Sequence, residues 1–269
     1  MNSILSIKNL SITYNGTSVV RNVSLDLHAG EILGLVGESG SGKSTIIKAA
    51  MGLLDPGGRV TDGNIYYRGT DLLTLKEKEM RQIRGTKLGM IFQDASGTLC
   101  PIRTIGDQII ESLKAHGKVD KAQAKSQAIE LFDKLNFRDP EKVWKSYPFE
   151  LSGGMNQRVS VALTMLMKPE ILLSDEATSA LDNISRNQVI MELIKLYDMG
   201  TSVIFVTHDI DIVDAICDTV LVLKNGEIQE YGRAKEVLNS PKSDYTKHLI
   251  RCTRELRNKA PMVSCGQIQ

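Results

Sequence analysis

The stretch Gly37-Glu38-Ser39-Gly40-Ser41-Gly42-Lys43-Ser44-Thr45 constrains this chain more than any other, because it fits G-x-x-x-x-G-K-[ST] and lies between an apolar run and a helical one. Glu31 to Val36 reads as a short buried strand, and Ser44 to Met51 as the helix into which the loop opens. Glycines at Gly37, Gly40 and Gly42 let the backbone turn several N–H groups towards phosphate oxygens, and the helix N-terminus adds the positive end of its dipole. Lys43 supplies a point charge for the outer phosphates, and the Ser44 hydroxyl can ligate magnesium. The stretch therefore predicts a bound nucleoside triphosphate. A Gly/Ser-rich loop that merely contains a lysine would not need a strand and a helix on either side.

With 269 residues, 42% of them hydrophobic, the chain is long enough for one large domain or for a core with a subdomain. Lys and Arg number 33 against 32 Asp and Glu, so no basic field argues for nucleic acid or an anionic membrane surface. No run of about 18 apolar residues occurs, and Met1 to Ser6 lacks the charged, apolar, small-residue order of a signal peptide. The expected location is the cytoplasm. Four cysteines, Cys100, Cys217, Cys252 and Cys265, form no C-x-x-C pair, which fits reduced thiols better than a disulfide framework or a zinc site.

Alternation predicts strands at Ser6–Tyr14 and Ser24–Leu27 around a turn at Asn15-Gly16, an antiparallel edge that leads into the nucleotide strand. Further strands are expected at Gly63–Tyr67 and Leu88–Phe92, the second ending at Gln93. Helical spacing over Ile105–His116 and Lys121–Leu135 then predicts a helical insertion at roughly residues 100–150. From Leu151 onwards, helix Met155–Met167, strand Ile171–Ser174, helix Asn183–Tyr197 and strand Ser202–Val206 give the alternation of an α/β fold with a parallel sheet. A short helix at Asp209–Cys217, a hairpin about Lys224-Asn225-Gly226 and a helical tail from Ala234 follow.

A second constellation lies in this half. Leu151-Ser152-Gly153-Gly154-Met155 precedes an amphipathic helix and reads either as a second anion site at a helix N-terminus or as a plain serine cap with a glycine turn. About twenty residues later, Ile171-Leu172-Leu173-Ser174-Asp175-Glu176 is an apolar strand ending in two carboxylates. That arrangement can place one acid near magnesium and another near an attacking water.

With these motifs in order over roughly residues 5–235, the chain resembles the nucleotide-binding subunits of ATP-binding cassette (ABC) transporters. The resemblance implies a P-loop NTPase core with an antiparallel β edge and an inserted helical subdomain, a nucleotide-binding domain at 1–235 and a short tail at 236–269. It also assigns roles: Tyr14 stacks on adenine, Gly37 to Thr45 is the Walker A loop, Gln93 the Q-loop residue and Leu151 to Met155 the signature. Asp175 and Glu176 become the Walker B pair, Ser179-Ala180-Leu181-Asp182 the D-loop and His208 the switch histidine. Alone, Tyr14 also reads as an edge-strand aromatic, Gln93 as a strand-end polar group and His208 as a satisfied histidine after a strand.

Met155 stands where the family more often has Gln, and Ser174 where an apolar residue is common; neither change removes a phosphate ligand. Met155-Asn156-Gln157-Arg158, Ser146-Tyr147-Pro148 and the segment Pro241 to Lys247 resemble the oligopeptide, dipeptide and nickel importer branch. That branch implies ATP with magnesium on Ser44, Gln93 and Asp175, catalysis by Glu176 and His208, and nucleotide contacts from Ser39, Gly40, Ser41, Gly42, Ser152, Gly153, Gly154 and Asp182. It further implies a head-to-tail pair with a homologous, non-identical ATPase at the cytoplasmic face of the membrane, two permeases, and a substrate-binding protein that selects the cargo. The shortness of the tail tilts the expected cargo towards nickel or metal chelates rather than peptides. The rival expectation is a soluble ABC-type ATPase acting on nucleic acid or the ribosome; it is disfavoured because neither coiled coils, a second cassette nor a basic stripe is present.

Overall fold

Alternating apolar residues in the first strands and uninterrupted apolar runs in the later ones produce two sheets of different kinds. A computed structural model describes residues 3–94, 97–177 and 181–259, without the side chains of Asn183 and of residues 254–259. Strands β1 (Ser3–Tyr14) and β2 (Thr17–His28) form a hairpin whose turn residues, Asn15 and Gly16, both take positive φ, as the Asn-Gly signal requires. Both strands are longer than alternation suggests. Left-handed Asn9 and Asn22 accompany shifts in their register, and each donates its N–H to a serine hydroxyl of the opposite strand, Asn9 to Ser24 at 2.8 Å and Asn22 to Ser11 at 3.1 Å. The bulge at Asn22 breaks the period-2 pattern of β2, and alternation picks up only the part of that strand beyond it, from Ser24.

Strand β3 (Ile32–Val36) leads through the glycine-rich loop into helix α1 (Lys43–Ala50). Strand β4 (Gly58–Tyr67) pairs with the free side of β1, and β5 (Thr70–Asp71) completes an antiparallel sheet of order β2-β1-β4-β5. Helix α2 (Glu77–Ile83) and strand β6 (Leu88–Ile91) follow, then helices α3 (Ile105–Lys114), α4 (Lys121–Lys134), α5 (Pro140–Lys145) and α6 (Gly153–Leu166). Sequence reading does not anticipate α2 or α5, although Asp139 caps α5 through the Lys142 N–H and Pro140 opens it. The rest is β7 (Ile171–Asp175), α7 (Asn183–Asp198), β8 (Ser202–Val206), α8 (Ile210–Ile216), β9 (Thr219–Lys224), β10 (Glu227–Arg233), α9 (Ala234–Asn239) and α10 (Asp244–Lys259).

The second sheet runs β10-β9-β3-β8-β7-β6, parallel throughout except for β10. Its two faces fill two cores. Leu33 and Leu35 of β3 and Leu173 of β7 join Ile46 and Ile47 of α1 and the inner face of the antiparallel sheet. Ile32, Val36 and Leu172 point the other way, into a core that includes Val159 of α6, Phe132 of α4 and Tyr245 and Ile250 of α10. Strand alternation thus puts Asp175 on the face of Leu173, towards α1. No helix among the described residues is long and apolar enough to cross a membrane.

Away from the glycine-rich loop the two sheets are tied by Glu170, just before β7. It accepts from Tyr67 Oη at 2.7 Å and Arg68 Nη2 at 3.0 Å at the end of β4, and from Lys87 ahead of β6. Burial alone would push its carboxyl up, but the bonds from Lys87, Tyr67 and Arg68 outweigh this and bring it down to about 2. A depressed carboxylate adds stability above its unfolded value, about 4.3, and loses it as pH falls towards the folded value. Glu170→Gln is therefore expected to lower Tm at pH 7 by roughly 2–4 °C. The gap between the two proteins should close as pH falls from about 5 towards 2, as thermal melts across that range will report.

Candidate active site

The loop between β3 and α1 is shaped by contacts that leave little room for side chains. At Gly37 (φ 153°) an added Cβ would lie 2.1 Å from the Leu223 carbonyl oxygen, so only glycine fits against the end of β9. The turn after β9 closes on the loop as well, with the Gly226 N–H donating to the Ser41 carbonyl at 3.0 Å. Inside the loop, Lys43 is 5% exposed, and its Nζ donates to the Gly37 and Glu38 carbonyls, both at 2.8 Å. Burial lowers the proton affinity of this ammonium, and the charges of Glu176, Asp175 and Glu38 oppose that effect.

Across the sheet, the Ser44 hydroxyl donates to Asp175 Oδ1 at 2.7 Å, joining the first turn of α1 to the end of β7. Asp175 is 3% exposed; burial pushes its carboxyl up, the Ser44 bond opposes this, and the neighbouring Glu176 charge adds to it. A buried carboxylate beside a hydroxyl is a hard oxygen donor pair of the kind magnesium takes.

Continuing the strand would send Glu176 to the face opposite Asp175. Instead its backbone turns left-handed at φ 44°, a conformation that costs a non-glycine residue of order 1–3 kcal/mol, and its N–H donates to the Val206 carbonyl at 3.1 Å. The turn leaves Glu176 Oε2 accepting from Gln93 Nε2 at 3.2 Å and Oε1 3.6 Å from His208 Nδ1. Gln93 follows β6, Glu176 follows β7 and His208 follows β8, so adjacent parallel strands deliver all three to one edge. The residue after His208 is fixed, because Asp209 caps α8, pairs with Arg186 of α7 and donates its N–H to Thr207 Oγ1 at 3.0 Å.

The remaining residues singled out by sequence are spread more widely. Tyr14 ends β1 with its ring against Gly58, where an added Cβ would lie 2.5 Å away, and its Oη accepts the Asp55 N–H at 3.3 Å. Asp55 in turn takes Lys48 of α1 at 2.9 Å. Ser39 and Gly40 are exposed at the crest of the loop, and Thr45 is half-buried in the first turn of α1. Ser152 caps α6 by accepting the Met155 N–H at 3.3 Å, and Gly153 is exposed beside it while Gly154 is half-buried. Among the described residues no hydrogen bond or ion pair joins this cap to the glycine-rich loop. Asp182 caps α7 through the Ile184 and Ser185 N–H groups, both at 3.0 Å, and bonds from the Ser185 backbone and hydroxyl hold its carboxyl low. Ser179, Ala180 and Cys265 lie outside the described residues.

Two contacts escape sequence reading. Gln157 Nε2 of α6 donates to the Phe92 carbonyl at 3.0 Å, immediately before Gln93. Tyr245 Oη of α10 accepts the Glu38 N–H at 3.2 Å. Each joins segments distant in sequence, and neither residue belongs to a phosphate-binding pattern that could have flagged it.

Comparison with known proteins identifies the family. A family model described as ABC transporter matches residues 20–179. The chain is 42% identical over 257 residues to the dipeptide transport ATP-binding protein DppD of Bacillus subtilis, covering 93% of this chain and 76% of that one. It is 36% identical over 269 residues to the metal-staphylopine import system ATP-binding protein CntD of Staphylococcus aureus, covering 99% of both. Among solved structures, the dimeric post-hydrolysis ATP-binding cassette MJ0796, bound to ADP and Pi, superposes with a TM-score of 0.77 at 29% identity, over 86% of this chain and 98% of that one. A match across more than half the chain, over a range that spans the glycine-rich loop and the carboxylates at the end of β7, places this protein in the ABC transporter family as one of its ATP-hydrolysing, ATP-binding subunits.

Proposed function

We propose that this chain powers a membrane importer of short peptides or metal chelates, acting at the cytoplasmic face of the membrane with two permeases and a second, homologous ATPase subunit, while a substrate-binding protein selects the cargo. The observation that carries this reading is the meeting of Lys43, Ser44, Asp175, Glu176, Gln93 and His208 at one sheet edge, in a chain whose relatives are named as peptide and metal-chelate transport ATPases. In this reading residues 1–235 form the nucleotide-binding domain, with its helical subdomain at about 100–150, and residues 236–269 a C-terminal tail. The relatives carry transport descriptions, and no feature of the site favours a nucleic-acid partner.

Ser44 and Asp175 would hold the magnesium ion, and the 2.7 Å bond between them supports the fit. Gln93 donates through its amide nitrogen to Glu176 at 3.2 Å, which leaves its amide oxygen as the third donor to that set. Magnesium, when bound, neutralises charge that develops on the phosphates. Lys43 adds a second positive charge there, the loop N–H groups between Ser39 and Thr45 cradle the phosphates, and Tyr14 offers its fixed ring to the adenine. Glu176 accepts the proton of the attacking water, and His208, on the other side of that carboxylate, orients water and the terminal phosphate. Ser152, Gly153 and Gly154 form a helix N-terminus, exposed at Ser152 and Gly153, that suits the phosphates of the partner's nucleotide, and Asp182 lies on the loop that would cross between subunits.

Two outcomes test this. Because half of each composite site comes from a partner, the isolated chain should bind Mg-ATP but turn it over slowly, and faster once assembled with partner ATPase and permeases. Equal turnover at concentrations where no pair persists would overturn the paired site. Glu176→Gln keeps size and hydrogen bonding but removes the base, so nucleotide should stay bound while hydrolysis falls at least roughly a hundredfold. Lys43→Ala should instead lose nucleotide, because it deletes the charge on the outer phosphates. Retention of labelled ATP measured beside turnover separates the two, and parental hydrolysis by Glu176→Gln would remove Glu176 from its role.

A further inference from the structure

The C-terminal helix reaches into the phosphate loop through one hydroxyl. Tyr245, the second residue of α10, is 8% exposed, and its Oη accepts the Glu38 N–H at 3.2 Å. That N–H belongs to the same peptide plane as the Gly37 carbonyl, which accepts from Lys43 Nζ at 2.8 Å. A trans peptide directs its N–H and C=O in opposite senses, so Tyr245 holds one end of a rigid plane and the Lys43 ammonium holds the other. Lys43 also donates to the carbonyl of Glu38 itself, at 2.8 Å. The Gly37 Cα lies against the Leu223 carbonyl, so the plane is confined on that side too.

The tyrosine is itself fixed from several directions. Lys224 Nζ, at the end of β9, lies 4.6 Å from the centroid of its ring. Glu230 of β10 accepts the N–H groups of Lys242 and Ser243, at 2.9 and 3.1 Å, and so pins the chain just ahead of α10. Val237 and Leu238 of α9 and Ile250 of α10 are buried in the core shared by the parallel sheet. Packing of the tail alone would need the ring and these aliphatic groups, but not a hydroxyl aimed at a loop N–H.

We propose that Tyr245 is a positioning residue for ATP binding: through the Gly37–Glu38 peptide it fixes the entrance of the phosphate loop and, with it, the Lys43 ammonium. A loop already ordered before nucleotide arrives gives up less conformational freedom on binding, and the saving appears as affinity. The inference rests on this loop being the ATP site.

The test is titration of Mg-ATP into the full-length chain and its Tyr245→Phe variant, which loses only Oη and keeps the ring and its Lys224 contact. Kd is expected to rise about fivefold, the scale of one hydrogen bond, with full binding stoichiometry. A merely structural role would lower the fraction of competent protein and the nucleotide-free Tm while leaving Kd unchanged. Tyr245→Ala, which also removes the ring, should weaken ATP at least as much and lower Tm besides. Parental Kd in Tyr245→Phe overturns the inference, as does a loss confined to stoichiometry. Failure of the parental chain itself to bind Mg-ATP would instead bring down the function on which the inference rests.

Discussion

The Lys43 ammonium is nearly buried, lies 2.8 Å from two loop carbonyls and feels the charges of Glu176, Asp175 and Glu38. Keeping such a charge out of water is costly unless it is hydrogen-bonded and compensated, and the surrounding structure supplies both. The carbonyls come from the turn that Gly37 and Leu223 shape, so β9 must lie beside β3. The carboxylates come from β7, which must present Asp175 towards α1 and then break its alternation at Glu176. Much of the parallel sheet order can be read as the set of neighbours that this one cation requires.

The helical insertion is joined to the site through α6. Ser152 opens that helix, Gln157 bonds the carbonyl ahead of Gln93, and Arg158 donates to the Leu135 and Asn136 carbonyls at 3.0 and 2.9 Å, its guanidinium 4.5 Å from the centroid of the Phe137 ring. One face of α6 therefore grips the segment leading to Gln93, while another grips the end of α4. The exposed cap at Ser152 and the contact at Gln93 belong to one continuous packed element, and Gln93 in turn meets Glu176.

Sequence by itself determined the phosphate loop, the two terminal acids of β7 and the succession of strands and helices, because each rests on local chemistry: glycines for a turn, a lysine and serine at a helix start, apolar runs ended by carboxylates. It made both β1 and β2 too short, β2 above all, since left-handed Asn22 interrupts alternation without ending the strand. It passed over α2 and α5, which bury only Met80 and Val143 respectively and so show no apolar stripe. Tertiary structure alone decided that Gln93, Glu176 and His208 meet, because their contact depends on β6, β7 and β8 lying side by side. It alone also decided that Tyr245 touches Glu38, more than two hundred residues earlier in the chain. Periodicity and spacing report what a residue does with its near neighbours, whereas these contacts are set by sheet order and by where the last helices dock, which no local pattern encodes.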